Sequence, residues 1–248
     1  MPSAYDAIAA PTGYHGANEK EPALNELIDT TEMYLRTIFE LEEEGAIPMR
    51  ARIVDRLHQS GPTVSQTVAR MQRDGLVNVL DDRQLELTPE GRRQATAVMR
   101  KHRLAELLLV EVLGLEWEKV HDEACRWEHV ISTDVEKRIV ELVGDPGYSP
   151  YGNPIPGLEE LEAGASSPDT AAVVPLSRVL GDDEISVPIE RITEGVQADG
   201  PLLDQLSEAG VRPGTTARVK QADDALVLNG TEFPAKLAEL LFVAADSL

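Results

Sequence analysis

The stretch Gln59 to Met71, Q-S-G-P-T-V-S-Q-T-V-A-R-M, leaves few options for the chain around it. Pro62 suits the first turn of a helix, with Ser60 or Gly61 just before it. Val64, Val68 and Met71 recur at helical spacing and face inward, while Thr63, Ser65, Gln66 and Arg70 face outward. Gly75 stops the helix. A shorter helix carrying Arg50, Arg52, Ile53 and Leu57 precedes it, set off by Pro48. Two helices joined by a tight turn, the second opening on small polar residues, make a helix-turn-helix. Leu76 to Leu80 and Gln84 to Leu87 then read as short strands around Asp81-Asp82-Arg83, so the unit is a winged helix. In a duplex, Gln66 can pair with an adenine edge, Pro62 and Thr63 can touch a thymine methyl, and Arg83 at the wing tip reaches phosphate. A plain helical hairpin would share the helical spacing but not the strand pair after it.

The charge distribution bears on that reading. The chain has 248 residues and a net charge of −21, which by itself speaks against a polyanion as partner. Between Arg50 and Arg103, however, eleven Lys/Arg face six Asp/Glu; elsewhere twelve basic residues face thirty-eight acidic ones. A basic island in an acidic chain is an electrostatic footprint for nucleic acid. A single cysteine excludes an internal disulfide framework and suits a reducing compartment. No apolar run approaches the ~18 residues of a membrane span, and Met1 to Gly13 lacks a signal-peptide pattern. A soluble cytoplasmic protein is expected.

Met1 to Ala23, rich in Ala, Gly, Pro and polar residues, reads as a disordered leader. Helix 1 follows, capped by Asp29 or Thr30, with Tyr34, Leu35, Ile38, Phe39 and Leu41 as its apolar stripe, ending at Glu44-Gly45. Met33 on this helix is, by its residue type alone, a core gap-filler. After the wing, Thr88-Pro89-Glu90-Gly91 starts a helix expected to run to Gly114. It carries His102 and Glu106 four apart on one face, and its apolar end is of the kind that forms an interface.

The next helix, from near Glu116 to Ser132, contains H-D-E-A-C-R-W-E-H, His121 to His129. Positions four apart share a helix face, so His121, Cys125 and His129 stack, with Glu128 beside His129. Imidazole, thiolate and carboxylate on one face make a grip for a borderline divalent metal. Cys125 as a small buried hydrophobe with ordinary polar histidines fits the stretch equally well. A further helix, Thr133 to Val143, precedes the Pro/Gly segment Gly144 to Gly157 and a loose acidic stretch, Leu158 to Pro175. From there the pattern turns to short strands, Ile185 to Ile192, Thr216 to Val219, Ala225 to Leu228 and Leu240 to Ala244, with a helix at Leu202 to Ala209. This is a small β-barrel of SH3 size.

A winged helix, a helical middle segment with a Cys/Glu/His cluster and an SH3-like barrel together resemble the iron-dependent repressors of the diphtheria toxin repressor family. D-T-T-E-M-Y-L-R-T-I, Q-S-G-P-T-V-S-Q-T-V-A-R-M, M-R-K-H-R-L-A-E, E-A-C-R-W-E-H-V and G-N-P-I-P-G carry the resemblance. It runs from about Asn25 to the C-terminus; family chains start close to where helix 1 begins here. It implies a mainly α chain with a small β domain: a leader (1–23), a winged-helix DNA-binding domain (24–96), a helical metal-binding and dimerisation domain (97–163), a linker (164–175) and an SH3-like domain (176–248).

The resemblance further implies an activating metal site of Met33, Cys125, Glu128 and His129. An ancillary site would use His102, Glu106 and His121, joined by Glu194 and Gln197 from the barrel. The set expected to face DNA is Thr30, Arg50, Arg52, Ser60, Pro62, Thr63, Ser65, Gln66, Arg70, Arg73 and Arg83. The implied function is transcriptional repression, with Fe2+ as corepressor and Co2+, Ni2+, Mn2+ or Zn2+ as substitutes in vitro. The implied partners are a second copy of the chain and palindromic operators of iron-uptake and siderophore genes, two dimers per operator. A manganese-responsive repressor of the same superfamily is the alternative, which Cys125 opposes because manganese prefers oxygen donors. A metalloenzyme is a second alternative, but no H-E-x-x-H or comparable catalytic motif is present and the helix-turn-helix would go unexplained.

Overall fold

The computed structural model describes residues 29–144, 146–168, 173–181, 183–222 and 224–245. The expected leader lies outside these residues, as do positions 169–172 of the expected linker. The chain folds as a winged helix, a helical middle segment and an SH3-like unit.

Helix α1 (Thr30–Glu43) is capped by Asp29, whose side chain accepts from the Thr31 and Glu32 amides. Helices α2 (Arg50–Leu57) and α3 (Gly61–Arg73) follow, and Ser60 caps α3 as its sequence position suggested. Strands β1 (Val77–Val79) and β2 (Leu85–Leu87) pair antiparallel to form the wing. Tyr34, Leu35, Ile38, Ile53, Val64, Val68, Met71 and Met99 are fully buried in one core beneath these elements. Helix α4 (Pro89–Leu107) starts against the wing at Gly91. A side-chain carbon there would sit 2.0 Å from the Leu76 carbonyl oxygen, so only glycine allows this approach.

The sequence pattern carries this helix to Gly114, but its α-geometry ends at Leu107 and a π-helical turn, Leu108–Val112, completes it. Helix α5 (Val120–Trp127) is also shorter than expected. A tight turn in which the Val130 amide bonds the Trp127 carbonyl ends it, and Ser132 then caps α6 (Thr133–Val143).

The C-terminal unit consists of two open antiparallel sheets. One holds β3 (Val173–Pro175), β9 (Leu241–Ala244) and β5 (Arg191–Ile192); the other holds β4 (Ile185–Pro188), β6 (Thr216–Ala222), β7 (Ala225–Leu228) and β8 (Thr231–Pro234). The expected single strand Ile185 to Ile192 is two strands, because the chain changes sheets at Ile189-Glu190. Strands β3 and β8 are additions to the sequence reading. Helices α7 (Glu194–Gln197) and α8 (Gly200–Glu208) lie between β5 and β6.

This unit is fixed to the helical segment. The apolar core runs without a break from Leu104, Val120 and Ile139 into Ile192, Val196, Leu226 and Leu241. The Pro/Gly segment lies along β5: Ile192 donates its amide to the Tyr151 carbonyl at 2.9 Å, and Asn153 Nδ2 donates to the Ile192 carbonyl at 3.0 Å. Gly152, at φ +78°, passes so close to Glu190 that a side-chain carbon would lie 1.9 Å from its carbonyl oxygen. These contacts place α7 over α1 and α4.

Candidate metal centre and DNA-facing surface

On α3 the split between inward and outward residues is complete. Val64, Val68 and Met71 are buried, while Pro62, Thr63, Ser65, Gln66, Arg70 and Arg73 are exposed. The Ser60 and Thr63 hydroxyls lie 2.8 Å apart. Thr30 and Arg52 are exposed, and Arg50 is half-buried. Arg83 stands exposed at the wing tip with φ +69°, a left-handed turn conformation. Not all of the basic island faces outward. Arg100 is buried against Glu136 and Glu160, Arg103 against Glu43 and Glu194, and Arg56 pairs with Glu44. Among the described residues Arg52, Arg70, Arg73 and Arg83 are exposed and have no ion pair, so α2, α3 and the wing each present free positive charge.

A cavity of about 310 Å³ opens between α1, the α5 region and α7. Met33, Cys125, Glu128 and His129 all line it, together with Arg36, Glu40, His121 and Glu194. Met33 comes from α1 and Cys125 from the last turn of α5. Glu128 and His129 sit on the turn that follows α5, not on the extended helix face expected from spacing. His129 is held from across the chain: its Nδ1 lies 2.6 Å from Glu32 Oε2 on α1. That contact leaves Nε2 turned towards Glu128 Oε1 at 3.4 Å.

Beside this cavity, His102, Glu106, His121 and Glu194 form a second, buried group, each offering an atom within 4.8 Å of the others. His102 Nε2 lies 2.8 Å from Glu106 Oε1 and 3.5 Å from Glu194 Oε2. His121 Nδ1 lies 3.5 Å from the same two oxygens. Gln197, one turn after Glu194, is buried and donates Nε2 to the Ile192 carbonyl at 2.7 Å. The two groups touch. His102 Nδ1 is 2.7 Å from Glu128 Oε2, and Cys125 Sγ is 3.6 Å from His121 Nε2. Cys125 also groups with His102 and His121 within 4.8 Å.

The titrations follow from this crowding. Burial favours a neutral Cys125, but Arg36, His121 and His102 outweigh it and hold the thiol well below its ordinary range. Burial opposes charge on His121 too, yet the thiolate and Glu106 push it up to about 10. Glu194 is held well below the carboxylate range against its burial by His102, Arg103 and Arg36. Arg36 and His102 likewise lower Glu128 against its burial.

Of the buried side-chain atoms without a hydrogen-bond partner among the described residues, six belong to the expected ancillary set: His102 Nε2, both Glu106 oxygens, His121 Nδ1, Glu194 Oε2 and Gln197 Oε1. Unpaired buried polar atoms cost about 1–3 kcal/mol each. The close nitrogen–oxygen pairs among them are misaligned for hydrogen bonding, as expected of atoms aimed at a common point. Two imidazoles and two carboxylates converging in this way fit a divalent cation. The cavity group, with thioether, thiol, carboxylate and imidazole, fits a softer divalent ion.

Comparison with known proteins decides the family. Residues 26–85 match the "Iron dependent repressor, N-terminal DNA binding domain" and residues 88–157 the "Iron dependent repressor, metal binding and dimerisation domain". The iron-dependent repressor IdeR of Mycobacterium tuberculosis is 58% identical over 198 residues, 79% of this chain and 86% of that protein. The chain belongs to the iron-dependent repressor family. The diphtheria toxin repressor of Corynebacterium diphtheriae, a relative in that family, is 55% identical over 210 residues, covering 83% of this chain and 91% of that one. Among solved structures, a manganese-dependent transcriptional repressor in complex with manganese superposes with a TM-score of 0.72 at 26% identity, covering 87% of this chain and 99% of that one. IdeR of T. acidophilum gives 0.68 at 27%, covering 88% and 98%.

For a member of the iron-dependent repressor family, four side chains at the site escaped the sequence reading. Arg36 and Glu40 stand in the cavity wall, Glu32 anchors His129, and Arg103 holds Glu194. One signal was available for Arg36 and Glu40. They lie four apart among the apolar stripe of Tyr34, Leu35, Ile38, Phe39 and Leu41, so a buried ion pair on that helix could have been expected. Nothing local distinguishes Glu32 from an ordinary first-turn carboxylate, nor Arg103 from its basic neighbours.

Proposed function

We propose that this protein is a cytoplasmic, homodimeric transcriptional repressor that binds palindromic operators of iron-uptake and siderophore genes when Fe2+ is bound as corepressor. The observation that carries this reading is that Met33, on the DNA-binding unit, lines one cavity with Cys125, Glu128 and His129 from the middle segment. In this reading those four residues hold the activating ion, and His102, Glu106, His121, Glu194 and Gln197 hold the ancillary one. A bound divalent ion supplies charge and a cross-link, with no bond-making chemistry.

The chain's own residues do the rest. Glu32 orients the His129 ring. His102 Nδ1 lies on Glu128 Oε2, so a ligand of one set steadies a ligand of the other, an arrangement that raises donor basicity and fixes tautomers. Glu194 brings the SH3-like unit onto both. The tied arrangement of α1 fixes where α3 presents Gln66 and Arg70, so differential affinity for that arrangement shifts the population towards DNA binding. Thr30, Arg50, Arg52, Ser60, Arg73 and Arg83 position the duplex, while Pro62, Thr63, Ser65 and Gln66 read base edges. Exposed Val112, Leu113, Val135 and Leu142 on the π-turn and α6 give the middle segment an apolar surface suited to a second copy. Soft sulfur donors from Met33 and Cys125 favour iron over the manganese alternative. The relatives are named as repressors, so a metalloenzyme reading has no support from them.

The test is selection of operators from a random duplex pool by the purified protein with Fe2+, Co2+, Ni2+, Mn2+ or a chelator. Palindromic sequences enriched with Fe2+ and lost with the chelator are expected. Binding indifferent to metal would overturn the reading.

A further inference from the structure

Arg36 belongs to neither donor set, yet it reaches both. It lies on α1, three residues beyond Met33, and is 8% exposed. Its Nε is 2.6 Å from Glu40 Oε1, its Nη1 is 2.6 Å from Glu128 Oε2 and 3.2 Å from Cys125 Sγ, and its Nη2 is 3.7 Å from Glu194 Oε2. Three carboxylates and a thiol, from three stretches far apart in the chain, thus surround one guanidinium. Arg56 and Arg103 near the same carboxylates direct their best hydrogen bonds elsewhere, to Glu44 and to Glu43. Arg36 aims its fork at donors that face the cavity.

Such a residue has three possible consequences for metal binding. As a strut of the fold, it leaves affinity unchanged when removed. As an orienter of ligands, its loss weakens affinity. As a competitor, its loss strengthens affinity. The geometry separates these. Glu128 Oε2 is already held by His102 Nδ1 at 2.7 Å, so Arg36 is not needed to aim it. On Cys125 and Glu128 the guanidinium takes up the same lone pairs that a metal needs. It cannot lose its charge, because arginine stays protonated. In a buried site, screening by salt is weak, so like charge is felt strongly.

We infer that Arg36 is a built-in counter-cation. It occupies the donor atoms before metal arrives and competes with metal for them, so that it sets the concentration at which the repressor loads. This rests on the metal-binding reading above.

The test uses the full chain with Arg36→Gln and Arg36→Lys. Co2+ is titrated under competition with a chelator and followed by its thiolate charge-transfer absorption, alongside thermal unfolding of the metal-free proteins. Arg36→Gln should bind Co2+ at the thiolate site about tenfold more tightly, or better, while its metal-free form unfolds at lower temperature. Lysine keeps the charge but lacks the fork to meet Glu128 and Cys125 together, so Arg36→Lys should lie between Arg36→Gln and the unchanged protein. Affinity equal to or weaker than wild type in Arg36→Gln overturns the inference; if that variant does not fold, the same result in Arg36→Lys does so. Absence of a thiolate band in the unchanged protein would instead defeat the metal-site reading itself.

Discussion

Cys125 is the donor on which the choice of metal turns, and its replacement separates a ligand from a packing residue. Its sulfur lies 3.2 Å from Arg36 and 3.6 Å from His121, and it lines the cavity shared by Met33, Glu128 and His129. Removing a group that merely orients a metal ligand costs about 10–100-fold in affinity. Losing a direct donor should therefore cost at least about 100-fold, or about 2.8 kcal/mol. The cost to the fold is smaller. Cys125→Ala deletes one sulfur from a half-buried position, and Arg36 keeps Glu40 and Glu128, so about 1 kcal/mol is expected. Metal titration by chelator competition, run anaerobically for Fe2+ and in parallel for Mn2+, measures the first quantity; urea unfolding of the metal-free protein measures the second. Cys125→Ser should fall between alanine and wild type, since a hydroxyl is a poorer ligand than a thiolate. Cys125→Asp exchanges a soft donor for a hard one and should move preference towards Mn2+. A folded Cys125→Ala protein that loads Fe2+ within about threefold of wild type, well under the ~100-fold floor, would refute the reasoning and leave the iron assignment without its main chemical support.

Gln66→Ala should reduce discrimination between operator and unrelated duplex by about 1–3 kcal/mol, whereas Arg50→Ala and Arg83→Ala should weaken all duplexes and flatten the salt dependence by about 1 each; anisotropy at several salt concentrations distinguishes the two patterns, and unchanged operator preference in Gln66→Ala removes it from the base-reading set. Glu194→Ala combined with Gln197→Ala should lower metal stoichiometry while metal-activated DNA binding persists, because in the proposed reading they are ligands of the ancillary ion and not of the activating one; complete loss of activation in a folded double variant contradicts that division. His121, raised to about 10, is protonated at neutral pH in the metal-free protein. Its folded pKa exceeds the unfolded value of about 6.5, so the stability it contributes is fully present below 6.5 and is lost as pH rises through 10. Metal binding near pH 7.5 should then release protons, which calorimetry in buffers of different ionisation enthalpy detects; a heat independent of buffer argues against His121 as a ligand.

The elements of the winged helix were legible from the sequence because each is specified locally. Ser60 and Pro62 start α3, valines at helical spacing give it a buried face, and Thr88 caps α4, all within a few residues of where they act. The barrel was legible as a class but not strand by strand, since the strand pairings of β3 and β8 are set by neighbours distant in sequence. The stretch His121 to His129 announced metal-binding chemistry but not its partition. Spacing on an ideal helix put His121, Cys125 and His129 on one face; the chain turns after Trp127, and His129 meets Glu32 while His121 meets Glu106 and Glu194. Which donors share a cavity is a matter of where α1, α4, α5 and α7 cross, fixed by a core that spans most of the chain. The same holds for Arg36. Its charge is written in the sequence, but that it lies among Glu40, Cys125, Glu128 and Glu194 is decided only when three distant stretches fold together, since a buried charge must find partners wherever packing places them.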